Sequence, residues 1–379
     1  MKVIQTVPSI DIESSGPSYS VSGLCRGLAS CGVDVELHVP GSVPITNVAF
    51  KIYGYHRSSI LNLRGLEWSS ALSAGLKQAC KTADVNQSNS LWMIPNIYPY
   101  KAVAGTRCKL VTAPRGTLSP CSLSRSKLKK KIFWMVAQKA ALRGTDMFHA
   151  TSEKEYDEIR NAGYRQPVAV VPIGMDIPQV DKNDLNKSVR LLRRVAFFGR
   201  LHPIKAVANL VKAWGMIPND NWELVIAGPD CGAQADLESI VRSQKLQRVR
   251  FVGEINGADK YTFLSQADIY VLPSLTENFG VTLAEALACG TPCIASHGTP
   301  WSGLEKEQAG KWVPIGVAPL AEALKEIMAM SDGERRLMGD RGRAWIERDF
   351  SWRGIGEKMK LSYEWLLGRS AKPEWVVCE

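Results

Sequence analysis

The chain reads as an α/β protein with two parallel sheets facing a central cleft. Two observations carry this. Buried-strand runs alternate with helical patterns along the whole chain, which is the grammar of βαβ units. The alternation stops at a Gly-, Pro-, Asp- and Asn-rich stretch over 173–187 and then restarts, so one sheet follows another. The 379 residues suffice for two or three domains, and 45% hydrophobic with 22% charged residues is a globular composition.

The elements follow in order. Residues 1–7 form a strand, and a polar loop over 8–19 holds a turn signal at Gly16-Pro17. A helix with Val21, Leu24, Leu28 and Ala29 on one face ends near Gly32, and 33–39 is the next strand. Short strands and loops fill 40–60, with a helix over 66–81 and strands over 83–92 and 109–112. A helix is expected over 124–143 and a strand over 146–151. Ser152 with Glu155 three residues on reads as a capping box. After the strand 167–172 and the linker, strands recur at 195–198, 223–227, 249–252 and 269–272. Helices intervene to 214, over 235–244 and over 261–266, and two more close the chain, the first near 334–350 and the second ending around Leu366.

The densest stretch begins at Ile269. The strand stops at Pro273, and a loop holds Glu277 and Gly280. A helix carries Glu285, and Gly290 and Pro292 precede the strand that starts at Cys293. Helix N-termini at strand ends favour anions, phosphate above all. Two carboxylates there, with seven residues between them, suit sugar hydroxyls beside a phosphate. They equally suit a helix-dipole acid plus a solvated mid-helix Glu. Arg200 and Lys205, in a strand-to-helix loop with no acid of its own, tip the balance toward a ligand, as a guanidinium fork and a point charge for a diphosphate. Neither GxxxxGK[ST] nor a GxGxxG after the first strand is present.

Charge is uneven. The net +10 comes from 21 basic against 12 acidic side chains in 1–180 and 26 against 25 beyond. No acid lies between Asp84 and Asp146, which reads as a footprint for an anionic partner. The segment over 124–143 carries Lys127, Lys129, Lys130, Lys131 and Trp134. Two readings stand for it: an interfacial helix against anionic lipid, or an apolar face packed on the sheet with solvated lysines. No run reaches the roughly 18 apolar residues of a membrane span. The odd count of nine cysteines, without zinc-type spacing, suits reduced thiols in the cytoplasm.

The run Glu277-x7-Glu285, with NFG inside it and ACGTPCIAS after it, resembles the signature of family 4 retaining glycosyltransferases of the GT-B fold. FGRLHPIKAVANLVKAW, VIAGPD, VVPIGMD, HATSEKE and the glycine-bearing loop at Gly16 resemble their other motifs in order and spacing. The PRG loop at Pro114-Arg115-Gly116 is similar to that of bacterial surface-polysaccharide enzymes. The resemblance implies two Rossmann-like domains, 1–177 for the acceptor and 178–352 for the nucleotide sugar, with 353–379 returning to the first. It implies that Glu277, Arg200 and Lys205 are catalytic. Gly16, Asn278, Phe279, Gly280, Val281, Thr282 and Glu285 would bind the nucleotide sugar, with Glu277 on the sugar and Glu285 on the ribose. Arg115, Gly116 and Asn89 would lie on the acceptor side.

The implied activity is retaining hexosyl transfer from a UDP- or GDP-sugar to a lipid-linked or glycan acceptor, with no cofactor, no metal and no nucleic-acid partner. The implied location is cytoplasmic, peripheral at the inner face of the plasma membrane. Two departures stand out. Ala206 replaces the usual glycine after Lys205, which a helix start tolerates. Asn89 and Arg115 occupy loops where relatives carry histidine. A glycosidase would lack the diphosphate clamp, an epimerase would lack an acceptor, and a non-catalytic anionic-surface binder would not need Glu277 and Glu285.

Overall fold

The computed structural model describes the chain except residues 12–15, 44, 46, 47, 59–65, 125–132, 179–190, 256 and 258 and the side chains of 17, 121 and 124. The chain divides into two units, Met1–Gly174 with Trp352–Glu379, and Met175–Ser351.

Unit 1 holds strands β1 (Lys2–Thr6), β2 (Asp34–Pro40), β3 (Lys51–Tyr55), β4 (Val85–Asn89), β5 (Lys109–Ala113), β6 (Met147–Ala150) and β7 (Val168–Val170). In unit 2 come β8 (Arg193–Phe198), β9 (Trp222–Ala227), β10 (Val249–Gly253), β11 (Ile269–Leu272), β12 (Cys293–Ser296) and β13 (Gly310–Val313). A last strand, β14 (Val376–Val377), pairs antiparallel with β7, so the chain's end joins the first sheet. The orders are β14-β7-β6-β5-β4-β1-β2-β3 and β10-β9-β8-β11-β12-β13. Both sheets are doubly wound and otherwise parallel, with order reversals between β1 and β4 and between β8 and β11. Burial on both faces explains their continuous apolar runs: Ile269, Tyr270, Val271 and Leu272 of β11 are all fully buried.

In unit 1 the helix Gly16–Ser30 begins inside the stretch read as loop. Gly16-Pro17 is its start rather than a turn, since proline suits a first helical turn where its missing N–H costs nothing. The helix packs on Trp352–Leu366, and glycines permit the contact. A Cβ on Gly27 would sit 2.2 Å from the Trp352 carbonyl oxygen, and one on Gly356 would sit 2.2 Å from the Gly27 carbonyl carbon. Trp352, Ile355, Met359 and Tyr363 are buried in this seam, each contributing about 2 kcal/mol of apolar burial.

The helix read over 66–81 starts only at Ser70, capped by Ser69 Oγ on the Leu72 amide. Of the helix read over 124–143, the described part is a π-helical turn, Trp134–Gln138, followed by Lys139–Arg143. Ser152 caps Glu153–Asn161 through the Glu155 amide, but the capping box is only half made. The Glu155 carboxylate goes elsewhere, as described below.

In unit 2 the helix Val281–Ala288 is written in strong helix formers, VTLAEALA. It ends at Gly290, left-handed at φ 74°, just ahead of Pro292. The helix Asp332–Asp349 packs on it and carries a full capping box between Ser331 and Glu334. An aromatic cluster of Phe279, Trp301, Trp345 and Phe350 closes this end of the unit, with ring centroids 5.2–6.0 Å apart.

Candidate active site

Open parallel sheets bind ligands at the carboxyl ends of strands where the order reverses. In unit 2 that point lies between β8 and β11, and the loops leaving both strands carry the residues singled out from the sequence.

The β8 loop is pinned on both sides of Arg200. A Cβ on Gly228 would lie 1.9 Å from the Gly199 carbonyl oxygen, so glycine is what lets the loops after β8 and β9 touch backbone to backbone. Leu201 N–H donates to the Pro229 carbonyl at 2.9 Å, and its own carbonyl accepts from Cys231 and Ala233. Arg200 itself is exposed. It makes no side-chain hydrogen bond or ion pair with a described residue. His202 Nδ1 accepts the Ile204 amide at 3.1 Å and caps the short turn Pro203–Lys205.

Ala206 then takes φ 50°, ψ 35° before the helix Val207–Trp214. The sequence reading of a tolerant helix start is corrected here. The residue sits between two helical pieces in left-handed backbone, which suits glycine and costs an L-residue about 1–2 kcal/mol.

The β11 loop is tied to the first by Leu275 N–H donating to the Ile204 carbonyl at 2.8 Å. Glu277 Oε1 accepts Lys205 Nζ at 2.6 Å and Ser274 Oγ at 2.7 Å. Lys205 therefore has a protein counter-charge brought by the fold, not only a ligand's as its own loop suggested. With the two side chains 16% and 14% exposed, the pair is shielded from solvent but still reachable. Gly298 buttresses the loop: its carbonyl accepts the Glu277 amide at 2.8 Å, and a Cβ on it would meet the Ser274 carbonyl oxygen at 2.4 Å. Neither glycine, nor Ser274, was singled out from the sequence.

Gly280 caps Val281–Ala288 in left-handed backbone, φ 85°, and no side chain caps this terminus. Tyr270 hydroxyl lies 3.1 Å from the Phe198 carbonyl, to which it donates, and 2.7 Å from Thr282 Oγ1, from which it accepts. Thr282 is thereby oriented in the first turn, and Val281 and Thr282 are only partly covered. Asn278 is half-buried. The Phe279 ring is 5% exposed and belongs to the aromatic cluster, while its carbonyl accepts the Trp301 indole N–H. Its side chain packs in the core of the unit.

Glu285 is 2% exposed, which removes the solvated mid-helix reading. Its Oε1 accepts Lys260 Nζ at 2.6 Å. Burial pushes its carboxyl pKa up, Lys260 opposes this, and Asp176 adds to it. Lys260, on the helix Asp259–Ser265, is a site residue the sequence did not flag.

In unit 1, Gly16 is exposed, and a Cβ there would meet nothing within 4 Å. Asn89, read as an acceptor-side residue, is fully buried. Its Oδ1 accepts Arg115 Nη2 at 3.1 Å. Gly116 N–H donates to Glu155 Oε1 at 2.6 Å, while Glu155 Oε2 accepts the Thr151 amide and hydroxyl. Glu155 thus anchors the PRG loop, which is why the capping box stays incomplete.

Trp134, read as membrane-facing or packed on the sheet, is half-buried and lies against Trp92 and Tyr164 at 5.7 and 6.3 Å. The exposed apolar residues of its turn are Met135 and Val136. Lys127, Lys129, Lys130 and Lys131 lie outside the described residues. Among the described residues no helix is long and apolar enough to cross a membrane, and no cluster of His, Cys, Asp and Glu is arranged to hold a metal.

Two Rossmann-like parallel-sheet units with a basic and a carboxylate loop at a strand-order reversal define a protein of the GT-B type. Residues 15–174 match the family model described as glycosyl transferase 4-like domain, and 186–345 match glycosyl transferases group 1. The chain belongs to the family 4 glycosyltransferases of this fold.

Among curated proteins it is similar to D-inositol 3-phosphate glycosyltransferase of Mycobacterium tuberculosis, 28% identical over 190 residues. That match covers 46% of this chain and 38% of the relative, so the chain spans well under half the relative's length. Among solved structures it resembles sucrose-phosphate synthase from Thermosynechococcus elongatus, with a TM-score of 0.78 at 22% identity over 98% of this chain and 100% of that one. It also resembles HepE of Anabaena in complex with UDP and glucose, with a TM-score of 0.75 at 19% identity over 96% and 99%.

Proposed function

We propose that the chain is a retaining, metal-independent hexosyltransferase that uses a UDP- or GDP-sugar. The observation that carries this reading is one arrangement at the β8–β11 reversal. The unpaired Arg200 and the uncapped Val281 helix stand beside a lysine, Lys205, that is bonded to the carboxylate of Glu277. Cations and helix amides suit a leaving diphosphate, and the carboxylate suits sugar hydroxyls.

In this reading Arg200, Lys205 and the amides of Gly280–Thr282 stabilise the charge that develops as the C1–oxygen bond to the diphosphate breaks. The acceptor hydroxyl attacks C1 on the face the diphosphate leaves. Its proton passes to the departing phosphate oxygen, so configuration is kept. Glu277 orients the sugar, Glu285 takes the ribose hydroxyls, and Asn278 borders the donor. Unit 2 binds the donor and unit 1 the acceptor, a lipid-linked or glycan molecule of bacterial surface-polysaccharide synthesis. The excess of basic residues in 1–180 supports an anionic partner on that side, in keeping with work in the cytoplasm at the anionic inner face of the plasma membrane.

The test is a thermal-shift screen of UDP, GDP and their hexose sugars, followed by transfer assays. One nucleotide series should raise the melting temperature, and Arg200→Ala should abolish that shift. No stabilisation by any nucleotide sugar, or wild-type transfer by Glu277→Ala and Arg200→Ala, would refute the reading.

A further inference from the structure

Unit 1 holds a cation that makes no ion pair within salt-bridge distance of a described residue. Arg115 leaves β5 in left-handed backbone, φ 57°, with Gly116 at φ 74° behind it. Glu155, the carboxylate that acts on it electrostatically, spends its oxygens on the Gly116 and Thr151 donors. Arg115 Nη2 donates to Asn89 Oδ1, and Nε is buried with no acceptor among the described residues. Burial pushes the guanidinium pKa down from its usual range. A charged, strained and partly unsatisfied side chain is costly, and such costs persist where function needs them.

What holds this side chain reaches far. Asn89 Nδ2 donates to Gln5 Oε1 at 2.9 Å and to the Thr6 carbonyl at 3.2 Å. Gln5 Nε2 donates to the Tyr363 hydroxyl at 3.2 Å, and that hydroxyl donates to Gln87 Oε1 at 2.7 Å. Gln87 Nε2 lies 3.1 Å from Asn89 Oδ1 and 3.3 Å from His149 Nδ1. His149 Nε2 donates to the Val171 carbonyl at 2.8 Å, which leaves Nδ1 as the acceptor. Gln5, Gln87, Asn89, His149 and Tyr363 are all buried. A polar chain through the core of unit 1 thus runs from the C-terminal helix to one guanidinium at the carboxyl end of β5. A buried network of this kind fixes side chains in single rotamers.

We propose that Arg115 is the receptor for a phosphate group carried by the acceptor, and that Asn89, Gln5 and Tyr363 are positioning residues acting through it. This rests on the transferase reading. A guanidinium whose Nη1 makes no hydrogen bond to a described residue can still take a phosphate through its Nη1 and Nη2 donors. The acid-free span from Asp84 to Asp146 around it favours a polyvalent anion over a single carboxylate. A phosphate could also arrive as the diphosphate of the donor, and the experiment separates the two sources.

The full-length protein is saturated with UDP or GDP, and inorganic phosphate and pyrophosphate are then titrated in by calorimetry at low ionic strength. Wild type should bind the second anion, and Arg115→Gln should weaken it about tenfold or more. Arg115→Lys should restore part of the affinity, and Tyr363→Phe should weaken it with Arg115 still present. Arg115→Gln should also leave the melting temperature unchanged or raise it, where a merely structural arginine would lower it. Equal anion affinity in wild type and Arg115→Gln overturns the proposal. So does a loss confined to UDP or GDP binding, because the phosphate is then the donor's. If no nucleotide binds, the transferase reading fails separately, while the phosphate titration still reports on Arg115.

Discussion

Glu277→Gln should move two affinities in opposite directions. In the ligand-free protein Lys205 Nζ sits 2.6 Å from Glu277 Oε1. A diphosphate that takes up Lys205 must therefore share it with a carboxylate. A phosphate hydrogen-bonded to the same ammonium lies on the order of 5 Å from that carboxylate. Two unit charges at that distance repel by about 3 kcal/mol at an effective dielectric of 20. Partial exposure of the pair reduces this to about 1–2 kcal/mol, or roughly tenfold in a dissociation constant. The amide variant removes the repulsion and keeps the shape.

Calorimetry should then show the free nucleoside diphosphate binding roughly tenfold tighter to Glu277→Gln than to wild type. The sugar nucleotide should gain less, because its hydroxyls lose a carboxylate acceptor, and transfer should fall by at least a hundredfold on the order expected for a charged hydrogen bond made in the transition state. Weaker or unchanged binding of the diphosphate by the variant would refute the argument that Glu277 competes for Lys205. An equal gain for diphosphate and sugar nucleotide would refute the role on the sugar.

Other outcomes follow from the same geometry. Ala206→Gly, and Ser90→Gly at φ 74° after β4, should each raise unfolding stability by about 0.5–1 kcal/mol in urea melts; a loss in both would contradict the strain. Lys260→Met strands a buried carboxylate and should cost about 3 kcal/mol at pH 8. That cost should shrink on acidification as Glu285, which faces Lys260, Asp176 and Tyr270, takes up a proton; a pH-independent cost would count against it.

Burial pushes His149 down to about 3 and Glu158 up to about 7. The histidine's contribution is complete above its unfolded pKa of about 6.5 and is lost as pH falls toward 3. The glutamate's is complete below about 4.5 and is lost as pH rises to 7, so the slopes oppose each other in between. His149→Gln should make stability fall with rising pH across that window, and Glu158→Gln should make it fall with acidification, each by up to about 1.4 kcal/mol per pH unit. Parallel profiles in the two variants would contradict both assignments.

The parts of the molecule legible in the sequence are those written locally. Four apolar residues ahead of Pro273 place β11, and Gly290-Pro292 places the start of β12, because strand burial and helix termination leave marks on neighbouring residues. The contacts that complete the site do not. Lys205 finds Glu277 across 72 positions, and Lys260 finds Glu285 across 25, and no periodicity announces either pair. Left-handed backbone shows in a sequence when glycine occupies it; Ala206 and Ser90 hide it. Polar type and motif position say nothing of depth, so the burial of Asn89 and Phe279 is not written in the sequence. The two-residue β14 at the chain's end carries too little pattern to find.

The return of Trp352–Leu366 and β14 to the first sheet has a consequence for biosynthesis. Unit 2 is one uninterrupted span, so it is complete once Ser351 has cleared the ribosome. Unit 1 begins earlier and finishes later, because the seam against Gly16–Ser30 and the pairing of Val376 with Ala169 wait for the last residues. A nascent chain therefore carries an unfinished apolar face on unit 1 until Trp352–Leu366 has emerged, and a nonsense codon just after 351 spares unit 2 while denying unit 1 its seal.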